Sequence, residues 1–159
     1  MSNNTPTPPI PSATTIPWTC ISFATPGNRG VVFSVGHSIR PIGQFIALLK
    51  KNGIELVADV RRFPGSRRFP WFSRENLEAF LRQEGIGYIW LGESLGGFRR
   101  GGYEAYAKTD EFMAGIEKLE SLASASRTAF MCAEAFEGRC HRKHIARELE
   151  ARGWRVIRI

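Results

Sequence analysis

Cysteine is scarce in this sequence, with Cys20, Cys132 and Cys140 the only three among 159 residues. A small, odd set without framework spacing excludes a disulfide-stapled secreted domain and fits a reducing compartment. Acidic residues are short as well, 15 against 22 lysines and arginines, for a formal net charge of +7. That excess attracts polyanions, which brings in nucleic acid, nucleotides and acidic surfaces as partner classes. No apolar run approaches the ~18 residues that span a bilayer. The first residues also lack the basic-then-apolar order of a signal peptide. The expected location is the cytoplasm, with no membrane among the partners. There is no internal repeat.

What is present suffices for a core. The chain is 43% apolar and 11% aromatic, which argues against disorder over most of its length. Six of the nine prolines fall within residues 1–30, among many Ser, Thr and Asn. That composition predicts a flexible arm over 1–30, whose Trp18, Ile21 and Phe23 would let its end lie on the domain. A single α/β domain is expected over 31–159.

Within that domain strand and helix signals alternate. Strands are expected at 31–35, 54–60, 86–91, 128–133 and in the final WRVIRI, where β-branched and aromatic residues cluster. Ile42, Phe45, Ile46 and Leu49 at i, i+3, i+4 and i+7 predict a first helix that begins near Pro41 and ends at Gly53. Ser73 is the expected N-cap of a second helix carrying Leu77, Phe80 and Leu81. A glycine-rich turn follows from Gly92 to Gly102. Thr109 or Asp110 caps a third helix with Phe112, Met113, Ile116 and Leu119 inward, and a fourth runs over Cys140–Arg152. Connections too long for hairpins imply a three-layer α/β fold, a mostly parallel sheet of about five strands with helices on both faces.

Ligands of such sheets bind beyond the carboxyl ends of the strands. The segments leaving those ends hold most of the reactive side chains, whereas the segments entering strands look like plain helix stops. Asp59 to Arg74 contains five arginines and one acid, interleaved with Phe63, Phe69, Trp71 and Phe72. Guanidinium forks bind phosphate or carboxylate bidentately, and aromatic rings stack on bases. Arg61, Arg62, Arg67, Arg68 and Arg142 are therefore candidate anion ligands, with His37 and Ser38 positioning the anion. Asp59 is expected to pair with Arg61 or Arg62 and orient it. A structural histidine bonded to a loop carbonyl is the competing reading of His37.

The sharpest segment runs from Met131 to Arg142. Cys132 leaves a buried strand and Cys140 opens a helix, where the helix dipole and nearby arginines favour a thiolate. Cys132, Glu134, Cys140 and His141 are the candidate catalytic residues, and Glu134 would transfer protons if buried. A rhodanese- or phosphatase-like loop around Cys132 is one alternative. Six residues rather than five separate Cys132 from Arg139, however, and Glu134 and Glu137 would repel a phosphate. A metal could recruit Cys132, Cys140, His144 and His37, yet the spacing matches no zinc pattern, and no metal ligand is assigned. A Cys132–Cys140 redox pair lacks the C-x-x-C spacing. The cofactor remains open.

Four separated pieces carry a family resemblance. They are Gly36-His37-Ser38, Asp59-Val60-Arg61 with Pro64-Gly65-Ser66-Arg67, Leu95-Gly96-Gly97, and Met131-Cys132-Ala133-Glu134 with Cys140-His141-Arg142. Together they resemble the domain-of-unknown-function family number 488 over nearly all of residues 31–159. The resemblance implies a compact α/β domain in which these motifs meet, and it implies no particular activity. Where that family usually starts its first helix with Ser or Thr, this chain has Arg40-Pro41. The expected function is that of an enzyme acting on a phosphorylated or nucleotide-like substrate. The alternative is a noncatalytic nucleic-acid binding module using Phe69, Trp71 and Phe72 as stacking surfaces.

Overall fold

The structure, a computed structural model, describes residues 29–159. The arm expected over 1–30 lies outside the described residues except for Arg29 and Gly30, and Trp18, Cys20, Ile21 and Phe23 lie outside with it. Strands and helices alternate along the chain. The first half runs β1 (Gly30–Gly36), α1 (Ile42–Lys51), β2 (Leu56–Asp59), α2 (Arg74–Gln83) and β3 (Gly87–Trp90). The one-turn α3 (Gly92–Leu95) and α4 (Tyr103–Tyr106) follow, then α5 (Asp110–Ala125), β4 (Thr128–Cys132), α6 (Arg142–Ala151) and β5 (Trp154–Arg158). Short 3-10 turns occupy Pro70–Phe72 and Glu137–Arg139. Among the described residues no helix is long and apolar enough to cross a membrane.

Every strand pair is parallel, in the order β3-β2-β4-β1-β5, so this is a five-stranded parallel sheet between two helical layers. Alternation along the strands sorts the core into two halves. Phe33, Val35, Val57, Ala129 and Met131 pack against Phe45 and Leu49 of α1 and Leu77 and Leu81 of α2. Val32, Ala58, Val60 and Phe130 face the opposite way, onto Phe112, Ile116 and Leu119 of α5 and Ile145 and Leu149 of α6. Leu49, Leu81 and Leu149 are fully buried, and each contributes about 2 kcal/mol by leaving water.

Local signals mostly act as the sequence implies. Thr109 caps α5, its Oγ1 accepting the Phe112 N–H at 3.3 Å. Ser73 stands at the N-cap of α2, but its hydroxyl donates to the Pro70 carbonyl at 2.7 Å and leaves the helix uncapped by a side chain. The stretch Gly92–Gly102 is more ordered than a turn. Leu95 is fully buried and its carbonyl accepts the Tyr103 hydroxyl at 2.7 Å, which fixes α3 against α4.

Strand order sets the place of the site. The β1-to-β2 connection crosses β4 in one direction, and the β4-to-β5 connection crosses β1 in the other. Loops leaving β1 and β4 therefore diverge to opposite faces, opening the crevice where such sheets bind ligands. The ends are also level, since Gly36 pairs with Cys132 and Asp59 with Met131. Pairing continues past the strands, with the His37 N–H donating to the Cys132 carbonyl at 3.0 Å and that of Ser38 to Ala133 at 2.9 Å. Gly36 permits this, because a Cβ there would sit 1.9 Å from the Glu134 carbonyl oxygen.

Gly36→Ala is expected to cost more than about 2 kcal/mol, since the obstacle is backbone. Gly43→Ala, in α1 with nothing within 4 Å, should instead stabilise by about 0.5–1 kcal/mol. Urea midpoints of the two variants check this pair, and equal shifts would contradict it.

Candidate active site

Four loops converge beyond the carboxyl ends of β1, β2, β3 and β4. Asp59, the last residue of β2, is fully buried, and its carboxylate forms a bidentate pair with Arg61. Arg61 Nε donates to Oδ1 at 2.9 Å and Nη2 to Oδ2 at 2.6 Å. The Tyr88 hydroxyl from β3 also donates to Oδ2, at 2.7 Å. Burial first, then Asp59, pushes the Tyr88 hydroxyl well above its ordinary value, so it stays a donor. Arg61 Nη1 donates to the Phe72 carbonyl at 2.8 Å and approaches His37 Nε2 at 3.4 Å.

His37 follows β1 and is 4% exposed. Its ring stacks on Phe72 with centroids 4.0 Å apart, and its Nδ1–H donates to the Ser38 carbonyl at 2.9 Å. That bond leaves Nε2 as the acceptor facing Arg61. Of the two readings of His37, this geometry is that of a structural histidine bonded to a loop carbonyl. Ser38 is half-buried and left-handed, at φ 48°, beside it.

The second centre lies on the other side of the sheet edge. Cys132 at the end of β4 and Cys140 before α6 are buried, and both sulfurs face His141 Nδ1, at 3.9 and 3.6 Å. His141 Nε2–H donates to the Val60 carbonyl at 2.8 Å, which turns Nδ1 toward the sulfurs. The three donor atoms lie within 4.8 Å of one another. Cys140 is held down, first by the neighbouring Cys132 thiol and then by His141, against burial. Cys132 is correspondingly pushed far up, by the neighbouring Cys140 and by burial. The two thiols are coupled, so their protons leave in steps that belong to the pair. The expected charge on Cys140 comes from its neighbouring thiol and imidazole more than from arginines.

A cavity of about 510 Å³ opens on this cluster, its walls including Arg62, Arg139, Lys143 and Tyr103. A second cavity of about 500 Å³ adjoins it, bounded by His37, Ser38 and Arg68. Arg61, Phe63, Glu134 and Arg139 line both. Among the described residues Arg62, Arg139 and Lys143 take part in no ion pair. Phe63 and Phe98 are exposed at the mouth, 69% and 87%, with ring centroids 6.3 Å apart.

Several expectations change. Arg142 is 2% exposed and lines neither cavity, because its side chain turns back beneath the loop after β4. There Nη1 donates to Ser34 Oγ at 2.9 Å and Nη2 to the Glu134 carbonyl, so this guanidinium braces the scaffold. Arg67 is exposed and borders neither cavity. Glu134 lines both cavities but is exposed, so the burial behind a proton-transfer role is missing. The stacking rings named from sequence pack inward, Phe72 fully buried and Phe69 and Trp71 partly so. Lys143 and Phe98 escaped sequence reasoning. Phe98 left a trace, a large apolar residue in a Gly-Gly-Phe-Arg-Arg turn, whereas only helical phase separates Lys143 from Arg142.

Among known proteins, the family described as Domain of unknown function DUF488 matches residues 41–149, more than half of the chain. No curated protein and no solved structure matches.

His37 gives the folded chain a pH dependence. Burial first, and the Arg61 charge against the Ser38 bond, hold it down from 6.5 to about 4. The unfolded chain takes up this proton more readily, so stability is full above pH 6.5 and falls as pH drops toward 4. The loss from this group is about 3 kcal/mol. Urea midpoints across that range should flatten in His37→Gln relative to the native chain, and parallel curves would contradict the assignment.

Proposed function

The chain belongs to that DUF488 family, and from this premise we propose that it is an enzyme acting on a nucleotide-like anion. The observation that carries the reading is the 510 Å³ cavity, which sets two cysteine sulfurs and an imidazole beside cations without carboxylate partners. Arg62, Arg139 and Lys143 hold the phosphate, by charge-assisted bonds made in a partly dehydrated cleft. Phe63 and Phe98 receive the planar base, since two exposed rings at a basic mouth offer a stacking surface. The Cys132–Cys140–His141 cluster then lies where the substrate's reacting end arrives.

A concave pocket enclosing Cys132, Glu134 and Cys140 favours an enzyme over a noncatalytic nucleic-acid module, which needs an open basic stripe. A phosphatase-like attack by Cys132 is disfavoured, because burial and the neighbouring Cys140 oppose ionisation of that thiol. Arg61 and Arg142 are left out of substrate binding, since buried partners already hold them.

Calorimetry with adenosine monophosphate tests the reading. Arg139→Ala and Lys143→Ala are each expected to weaken binding about tenfold, and Phe63→Ala by a similar factor through lost stacking. Arg67→Ala should leave it unchanged. Equal affinity across all four variants, or no binding at all, would sink the proposal.

A further inference from the structure

We propose that Cys132, Cys140 and His141 form a binding site for one thiophilic divalent cation, zinc by ligand type, with its fourth position open to the cavity. The inference deepens the reading above and rests on it only for what occupies that open position.

Distance is the first argument. Tetrahedral zinc with bonds of about 2.3 Å to sulfur and about 2.0–2.1 Å to nitrogen separates those donors by about 3.6 Å. The two sulfurs lie 3.6 and 3.9 Å from His141 Nδ1, so little motion is needed to enclose an ion. Orientation is the second. The Val60 carbonyl takes the Nε2–H and leaves the Nδ1 lone pair on the sulfur side, the outer contact by which metal-binding histidines are usually fixed. Backbone N–H groups point at the sulfurs too, those of Ala133 and Glu134 at Cys132 and that of Arg142 at Cys140. Such bonds suit thiolate ligands.

Room is the third argument. Gly97 stands against the imidazole, and a Cβ there would lie 3.0 Å from Nδ1, crowding the position an ion needs. The described residues supply three donors and no fourth. Closed structural zinc sites take four protein ligands, whereas three ligands plus a cavity is the arrangement of sites that bind water or substrate. Two thiolates and a neutral imidazole balance a dication, which leaves Arg139 and Lys143 free to attract an anion to the open position. Both cysteines bind as thiolates, and any proton the pair still holds passes to solvent, so affinity falls as pH falls.

The spacing hid this set. Cys132 and Cys140-His141 meet only because β4 and α6 bring them together, and the histidines paired with them on sequence grounds, His144 and His37, lie outside the converging group.

Cobalt titration of the full, reduced, metal-free chain tests the site. One ion per chain is expected, with a sulfur-to-cobalt charge-transfer band and a tetrahedral d–d band, both abolished by added zinc. Cys132→Ser and Cys140→Ser should each lower affinity by about 100-fold, while His144→Ala leaves it unchanged. If those serine variants fail to fold, the native chain still decides. Saturating cobalt without a charge-transfer band overturns the proposal, as does cobalt binding that survives both serine substitutions. Adenosine monophosphate affinity of the metal-free chain separates the two readings. Nucleotide binding without a metal site ends only this inference, and a metal site without nucleotide binding ends only the function proposed above.

Discussion

The bidentate ion pair between Asp59 and Arg61 governs the site edge, because both charges are buried and neither is tolerable there alone. The carboxylate is surrounded by the Arg61 guanidinium, the Arg61 backbone N–H at 3.1 Å and the Tyr88 hydroxyl. The guanidinium in turn holds the Phe72 carbonyl and faces His37. One pair thereby joins the ends of β1, β2 and β3 and the 3-10 turn before α2. Arg142 performs the matching task on the other side, linking Ser34 of β1 to the loop after β4. Two of the most buried arginines are structural for the same reason. A cation removed from water needs fixed partners, and the fold supplies most of them from its own backbone and side chains, leaving Arg142 Nε without one.

With those two set aside, the chemistry of the edge falls into order. The topological switch between β1 and β4 opens a crevice, and close approach at Gly36 draws its walls together. On the α5 and α6 side two cysteine sulfurs and an imidazole share one small volume. Above them stand cations without carboxylate partners, and at the mouth two phenylalanines remain in water. Exposed rings and unpaired cations each cost stability in isolation, and a buried sulfur pair is costly to ionise. Their meeting in one cavity is what a substrate with complementary parts would offset.

Much of the fold was legible in advance. Clusters of β-branched and aromatic residues marked the five strands, and the 3.6-residue spacing of Phe45 and Leu49, or of Ile116 and Leu119, marked the buried helix faces. The rule placing ligands at strand carboxyl ends selected the loops that converge on the two cavities. What sequence could not resolve was direction. Within a row of arginines, rotation about the chain decides that Arg61 turns inward and Arg62 toward the cavity, and periodicity is silent in a loop. The same holds for His141 against His144, three residues apart on one turn, of which only the first meets the sulfurs. The exposure of Glu134 was not legible, because it depends on the whole edge. Phe69, Trp71 and Phe72 looked like a stacking surface because an aromatic ring in a basic loop reads alike whether it faces water or the core.

The central claim is that the anion and the sulfur–imidazole cluster share one cavity. Iodoacetamide alkylation of Cys140 in the reduced, metal-free chain, timed with and without adenosine monophosphate, tests it most directly. The nucleotide is expected to slow alkylation in proportion to its occupancy, because bound phosphate closes the path past Arg139 and Lys143. Full occupancy by nucleotide with an unchanged alkylation rate would place the anion elsewhere and contradict the account.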